Sequence, residues 1–207
     1  MLPSKVLIIC EMHVEDLNAD KTAGISEIDS AVPADYKQRA LLDVRRLWIM
    51  TREFYLERLK AETPTFVKVL KALPADKLSY KPHERSQSAE QIAWMIARET
   101  KNCVEVARDH RTEWKEAPAP PLAEIVKEFE TAAKNLAEVV AKSDDASWNR
   151  PAEFYYQGKM VSNQPASQFI WMCLFDAVHH RGQLSAYLRP MGGKVPAIYG
   201  PSADEKG

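Results

Sequence analysis

Four long stretches of this chain repeat their apolar residues at intervals of three and four, and no stretch alternates apolar with polar residues between hairpin turns. That period puts one narrow apolar stripe on each of four helices. Stripes of that width are buried by packing helix against helix, so a four-helix bundle is the expected fold. The first helix is expected over 51–73, with Tyr55, Leu59, Phe66, Val69 and Leu70 on its stripe. Pro64 lies within it and predicts a kink or a division there. The second is expected from Ser88, which has Gln91 three residues on in a capping-box arrangement, to about residue 108. Its face carries Ile92, Met95, Ile96, Cys103 and Val106, with Glu99 as the one acidic intruder. The third is expected over 122–142, behind the stiff connector Ala117–Pro121. The fourth is expected over 166–188, closed by Pro190 and Gly192-Gly193. The segment 148–165 reads as irregular, and no strand is expected.

A chain of 207 residues suits one domain with an appendage. Residues 1–49 show no sustained period before a short helical pattern at 35–49, so they are expected to form an N-terminal extension, partly disordered, with one helix. The bundle is expected over 50–207. The formal net charge of −1 offers no global field for nucleic acid or anionic membrane, and neither partner is expected. The longest apolar runs are far too short to span a bilayer. The three cysteines, Cys10, Cys103 and Cys173, are odd in number and widely spaced, which fits neither a disulfide framework nor a zinc ribbon. A cytoplasmic protein is the expectation.

Asp176 and His180 stand one turn apart within the apolar stripe of the fourth helix, so their side chains stack. A carboxylate placed there needs a cation, a metal or a donor from a facing helix. An aspartate and a histidine four apart on a helix can share a divalent ion, and Glu99 offers a third ligand from the second helix. The alternative is a self-satisfied polar cluster in which Asp176 accepts from His180 or Arg181. His179 lies about a hundred degrees round the helix and reads as a residue behind the ligands rather than one of them. Arg181 is expected at the surface, or else holding an anionic group of a substrate.

The run His179-His180-Arg181-Gly182-Gln183-Leu184-Ser185 follows Phe175-Asp176 and precedes Leu188-Arg189-Pro190-Met191-Gly192. With Tyr80-Lys81-Pro82-His83 before the serine-capped second helix, it resembles the DinB-like superfamily from about residue 50 to 204. The resemblance implies an up-down-down-up bundle, often a homodimer. It also implies a divalent metal held by three histidines, one on the second helix and two on the fourth. Several relatives so implied transfer a low-molecular-weight thiol onto a small-molecule substrate. Residue by residue, His180 matches one fourth-helix ligand, Asp176 stands where the other histidine would be, and Met95 stands at the second-helix position. Met95 is a poor ligand for zinc or nickel, which leaves Glu99, one turn on, to complete a Glu/Asp/His set. Two carboxylates and an imidazole favour manganese, iron or zinc, with nickel as the fourth candidate ion. His179, Arg181, Gln183 and Met95 are the residues expected behind that set or against the substrate. The expected function is a metal-dependent thiol transferase or hydrolase; the alternative is a non-catalytic bundle acting through dimerisation or a partner.

Overall fold

The structure is a computed structural model that describes residues 51–206. The extension expected at 1–49 lies outside them. The elements are α1 (Arg52–Ala72), a 3-10 turn (Ala75–Lys77), α2 (Ala89–Asp109), β1 (Arg111–Trp114), α3 (Leu122–Lys142), α4 (Asp145–Asn149), β2 (Pro151–Tyr156), β3 (Lys159–Pro165) and α5 (Ala166–Leu188). The four long helices fall where the apolar period places them. Ser88 begins α2 as its sequence signature requires. Its hydroxyl accepts from the Gln91 N–H at 3.2 Å, and the Gln91 side-chain oxygen accepts from the Ser88 N–H at 2.9 Å.

Side-chain contacts fix the direction of each helix. Arg52, at the start of α1, donates to the carbonyl of Ser143 just past the end of α3, so these two run antiparallel. Tyr55 packs on Trp171 at 5.2 Å and Glu62 pairs with Arg181 at 2.6 Å, so α1 and α5 ascend together. The Tyr187 hydroxyl, at the end of α5, donates to the Gln87 carbonyl beside the start of α2 at 3.3 Å, so α2 and α5 are antiparallel. The order is up-down-down-up.

With α2 and α3 pointing the same way, the chain must travel back along a helix 21 residues long, roughly 31 Å. Residues 110–121, when extended, reach up to about 40 Å, which is enough. The Trp94 indole N–H donates to the Ala117 carbonyl at 3.2 Å and tacks the returning segment against α2.

Two sequence expectations are corrected. The segment 148–165, read as irregular, contains the end of α4 and a hairpin. β1 pairs parallel with β2, and β2 pairs antiparallel with β3. The turn between β2 and β3 is Gln157-Gly158, with φ of 49° and 74°. Two left-handed residues are what a tight hairpin needs. Glutamine stands where asparagine or aspartate would have announced it, and an irregularity between Phe154 and Tyr155 breaks the alternation. Phe154 faces inward, its ring 5.5 Å from that of Phe169. Pro64, read as a kink or a division, does not divide α1, which is continuous through it. Proline's fixed φ is compatible with a helix, and this one is exposed. The hydroxyls of Thr63 and Thr65 on either side donate to the carbonyls of Leu59 and Glu62 at 2.6 and 2.7 Å.

The core lies between the four long helices, around Tyr55, Phe66, Ile96, Phe129, Ile170 and Leu184, all essentially inaccessible. Each such side chain stabilises the fold by about 1.5–3 kcal/mol through burial. Among the described residues no helix is long and apolar enough to cross a membrane.

Candidate metal centre

The α2–α5 seam brings together Glu99, Asp176 and His180. One donor atom from each lies within 4.8 Å of the other two. His180 is 5% exposed, and its Nε2 is 3.3 Å from Asp176 Oδ2, as one-turn spacing allows. Glu99 enters from the facing helix.

The protonation of the three groups follows from their surroundings. Burial, then the neighbouring Cys173 and the negative Asp176, push the Glu99 carboxyl well above its usual range. Burial also opposes ionisation of Asp176. The hydrogen bond and charge of His180, with a hydrogen bond from Glu99, outweigh it and hold Asp176 below its ordinary value. Both shifts favour the shared proton on Glu99, from which it is donated to the Asp176 carboxylate, as between two adjacent carboxyls when only one ionises. Its other oxygen, Oε2, is buried and has no hydrogen-bond partner among the described residues. Leaving such an atom unpaired is costly, and a cation at this place would satisfy it while displacing the proton. The donor set fits a divalent ion: two carboxylates and an imidazole, one oxygen still unsatisfied.

Behind the triad, Gln183 sits between two imidazoles. Its side-chain oxygen is 2.9 Å from His180 Nδ1, and its side-chain nitrogen is 2.9 Å from His179 Nε2. An oxygen acceptor there is met by a proton on His180 Nδ1, so Nε2 is the nitrogen turned toward Asp176. In the ion-free protein Nε2 donates to that carboxylate, and it would bind an ion once its own proton is lost. His179 itself is exposed. Met95 is half-buried one turn before Glu99 and brings no donor to the triad.

Arg181 corrects the sequence reading. It is neither at the surface nor free to hold a substrate, being 2% exposed. Its guanidinium donates to Glu62 at 2.6 Å, to the Thr65 hydroxyl and to the Tyr199 hydroxyl. It lies 4.7 Å over the Phe66 ring. Tyr199 also donates to Glu62, at 2.8 Å. Glu62 escaped the sequence reading, although its place between Leu59 and Phe66 on the α1 stripe is the same signal that singled out Glu99.

Fold and site define a class: an up-down-down-up bundle with a carboxylate–imidazole triad between its second and fourth long helices. The chain belongs to the DinB family, which matches residues 50–206. Among solved structures it is similar to a DinB-like protein from Bacillus cereus, at 21% identity and a TM-score of 0.58, covering 71% of this chain and 97% of that one. It is also similar to a DinB-like protein from Bacillus subtilis, at 17% identity and a TM-score of 0.55, covering 73% and 98%. A mycothiol-dependent maleylpyruvate isomerase aligns at 12% identity with a TM-score of 0.46, covering 70% and 62%. No curated protein matches the sequence.

Proposed function

We propose that this chain is a divalent-metal-dependent enzyme, transferring a low-molecular-weight thiol to a small-molecule electrophile or hydrolysing its substrate. The single observation that carries this reading is the buried, unpartnered Oε2 of Glu99 beside Asp176 and His180. Glu99, Asp176 and His180 would hold the ion. The ion would supply Lewis acidity, which lowers the pKa of a water or thiol and makes it nucleophilic at neutral pH. The remaining work falls to the protein. Gln183 keeps a proton on His180 Nδ1 and so makes Nε2 the nitrogen that would bind the ion. Asp176 stays ionised, while Glu99 must give up its proton for the site to fill. His179 is the solvent end of the chain His180–Gln183–His179, and its Nε2 is held by the Gln183 amide. Arg181 plays no part, being engaged by Glu62.

Elemental analysis of protein purified without a metal-binding tag tests the reading. One manganese, iron, zinc or nickel ion per chain is expected, retained on dialysis and lost in Asp176→Asn and Glu99→Gln. Protein that holds no stoichiometric ion, and takes up none on titration, overturns it and leaves a non-catalytic bundle.

A further inference from the structure

One layer along the α2–α5 seam from the triad lies a feature the proposed chemistry does not use. Cys103 follows Glu99 by four residues on α2, and Cys173 precedes Asp176 by three on α5. The hydrogen bond from Tyr187 to Gln87 makes these helices antiparallel, so a step forward on one is answered by a step back on the other. With Glu99 facing Asp176, Cys103 faces Cys173. Both line the same cavity, which has a volume of about 20 Å³, with Tyr55, Thr100 and Ala177 also on its wall. A space of that size holds about one water molecule, and the two cysteines are among the residues that surround it. Both thiols also lie near the Tyr55 phenol. Burial first, and then both thiols, hold its pKa well above the ordinary value. Neither cysteine is bonded to another. Cys103 is buried and Cys173 half-buried, so Cys173 is the more accessible residue of the pair.

The geometry points to Cys103 and Cys173 as a redox pair that closes to an intramolecular disulfide across the α2–α5 seam when the protein meets a low-molecular-weight disulfide. The reaction is thiol–disulfide exchange. The Cys173 thiolate attacks one sulfur of R–S–S–R, forming Cys173–S–S–R and releasing RS⁻. The Cys103 thiolate then attacks the Cys173 sulfur, forming the protein disulfide and releasing the second RS⁻. The protein is oxidised by two electrons and the reagent reduced. The two thiol protons end on the two released RSH. Closing the bond requires Cα atoms within about 7 Å, so it draws the two helices together beside the triad. The pair stands on its own geometry and does not depend on the metal reading.

The full-length Cys10→Ser protein, in which only these two thiols remain, is incubated with excess oxidised glutathione. Intact-mass spectrometry is expected to show the loss of two hydrogens and no glutathione adduct. A peptide joining Cys103 to Cys173 is expected after digestion without reductant. The oxidised form should melt about 5–10 °C higher than the reduced form, because the cross-link constrains the unfolded chain, and a reductant should reverse this. Adding Cys103→Ser should halt the exchange at the mixed disulfide, leaving one glutathione on Cys173. If the two-thiol protein itself stops at a glutathione adduct, or keeps both thiols free, the two sulfurs do not meet and the inference falls.

Discussion

Replacing Glu62 with leucine isolates the buried ion pair that joins α1 to α5. The substitution keeps most of the side-chain volume and removes the only anion among the described residues within hydrogen-bonding distance of the Arg181 guanidinium, which is 2% exposed. Removing one partner of a buried pair typically costs about 3–5 kcal/mol, because the other charge is left without compensation in a poorly polarisable interior. The hydroxyls of Thr65 and Tyr199 still accept from Arg181, which places the expectation near the lower end. For a domain of about 155 residues, an unfolding entropy of about 2.1 cal/mol/K per residue gives roughly 0.33 kcal/mol per degree. The melting temperature should therefore fall by about 9–15 °C, read by circular dichroism or calorimetry. The double variant Glu62→Leu/Arg181→Met removes both charges and should recover most of that loss, since apolar replacement of a whole buried pair is commonly neutral or stabilising. A single variant that melts within about 3 °C of the parent, or a double variant no better than the single, would refute the reasoning.

Two further outcomes bear on the triad. Gln183→Leu removes the acceptor that fixes the His180 tautomer, and should weaken divalent-ion affinity by about 10–100-fold in a chelator competition while leaving the fold intact. An affinity equal to the parent's would show that Gln183 does not position His180. In ion-free protein the folded state holds the Glu99 proton more tightly than the unfolded chain does, burial being the main cause. That contribution is complete below the ordinary carboxyl value of 4.5 and is lost as pH rises through the folded value. Asp176 acts in the opposite sense, its contribution disappearing only as pH falls below 3.8. Ion-free protein should therefore melt lower as pH is raised above about 4.5, and the trend should be absent in Glu99→Gln. A melting temperature that is flat, or climbs, over that range in the parent counts against a protonated Glu99.

The periodic signals carried most of the fold. The four long helices, the Ser88–Gln91 cap and the up-down-down-up order were all readable from residue spacing and the resemblance it supported. The hairpin was not, because its left-handed turn is made by Gln157-Gly158 rather than a residue pair that favours such a turn. β1 was hidden because Arg111–Trp114 is four residues long and finds its partner some forty residues away. In the site, the one-turn spacing of Asp176 and His180 and the intrusion of Glu99 into an apolar face were legible, since charge on a buried stripe is rare. Gln183 was expected behind the set or against the substrate, but its two imidazole partners were not legible, and neither was the burial of Arg181 against Glu62. Each depends on which way a flexible side chain turns once a facing helix is in place, and no one-dimensional pattern records that.

The triad draws Glu99 from α2 and its other two members from α5, with α3 and the hairpin lying between them in sequence. During synthesis the glutamate is made well before the aspartate and histidine. Ion capture would then mark completion: an ion held by all three groups certifies that the last long helix has docked, and a stalled or misassembled bundle would lack that seal.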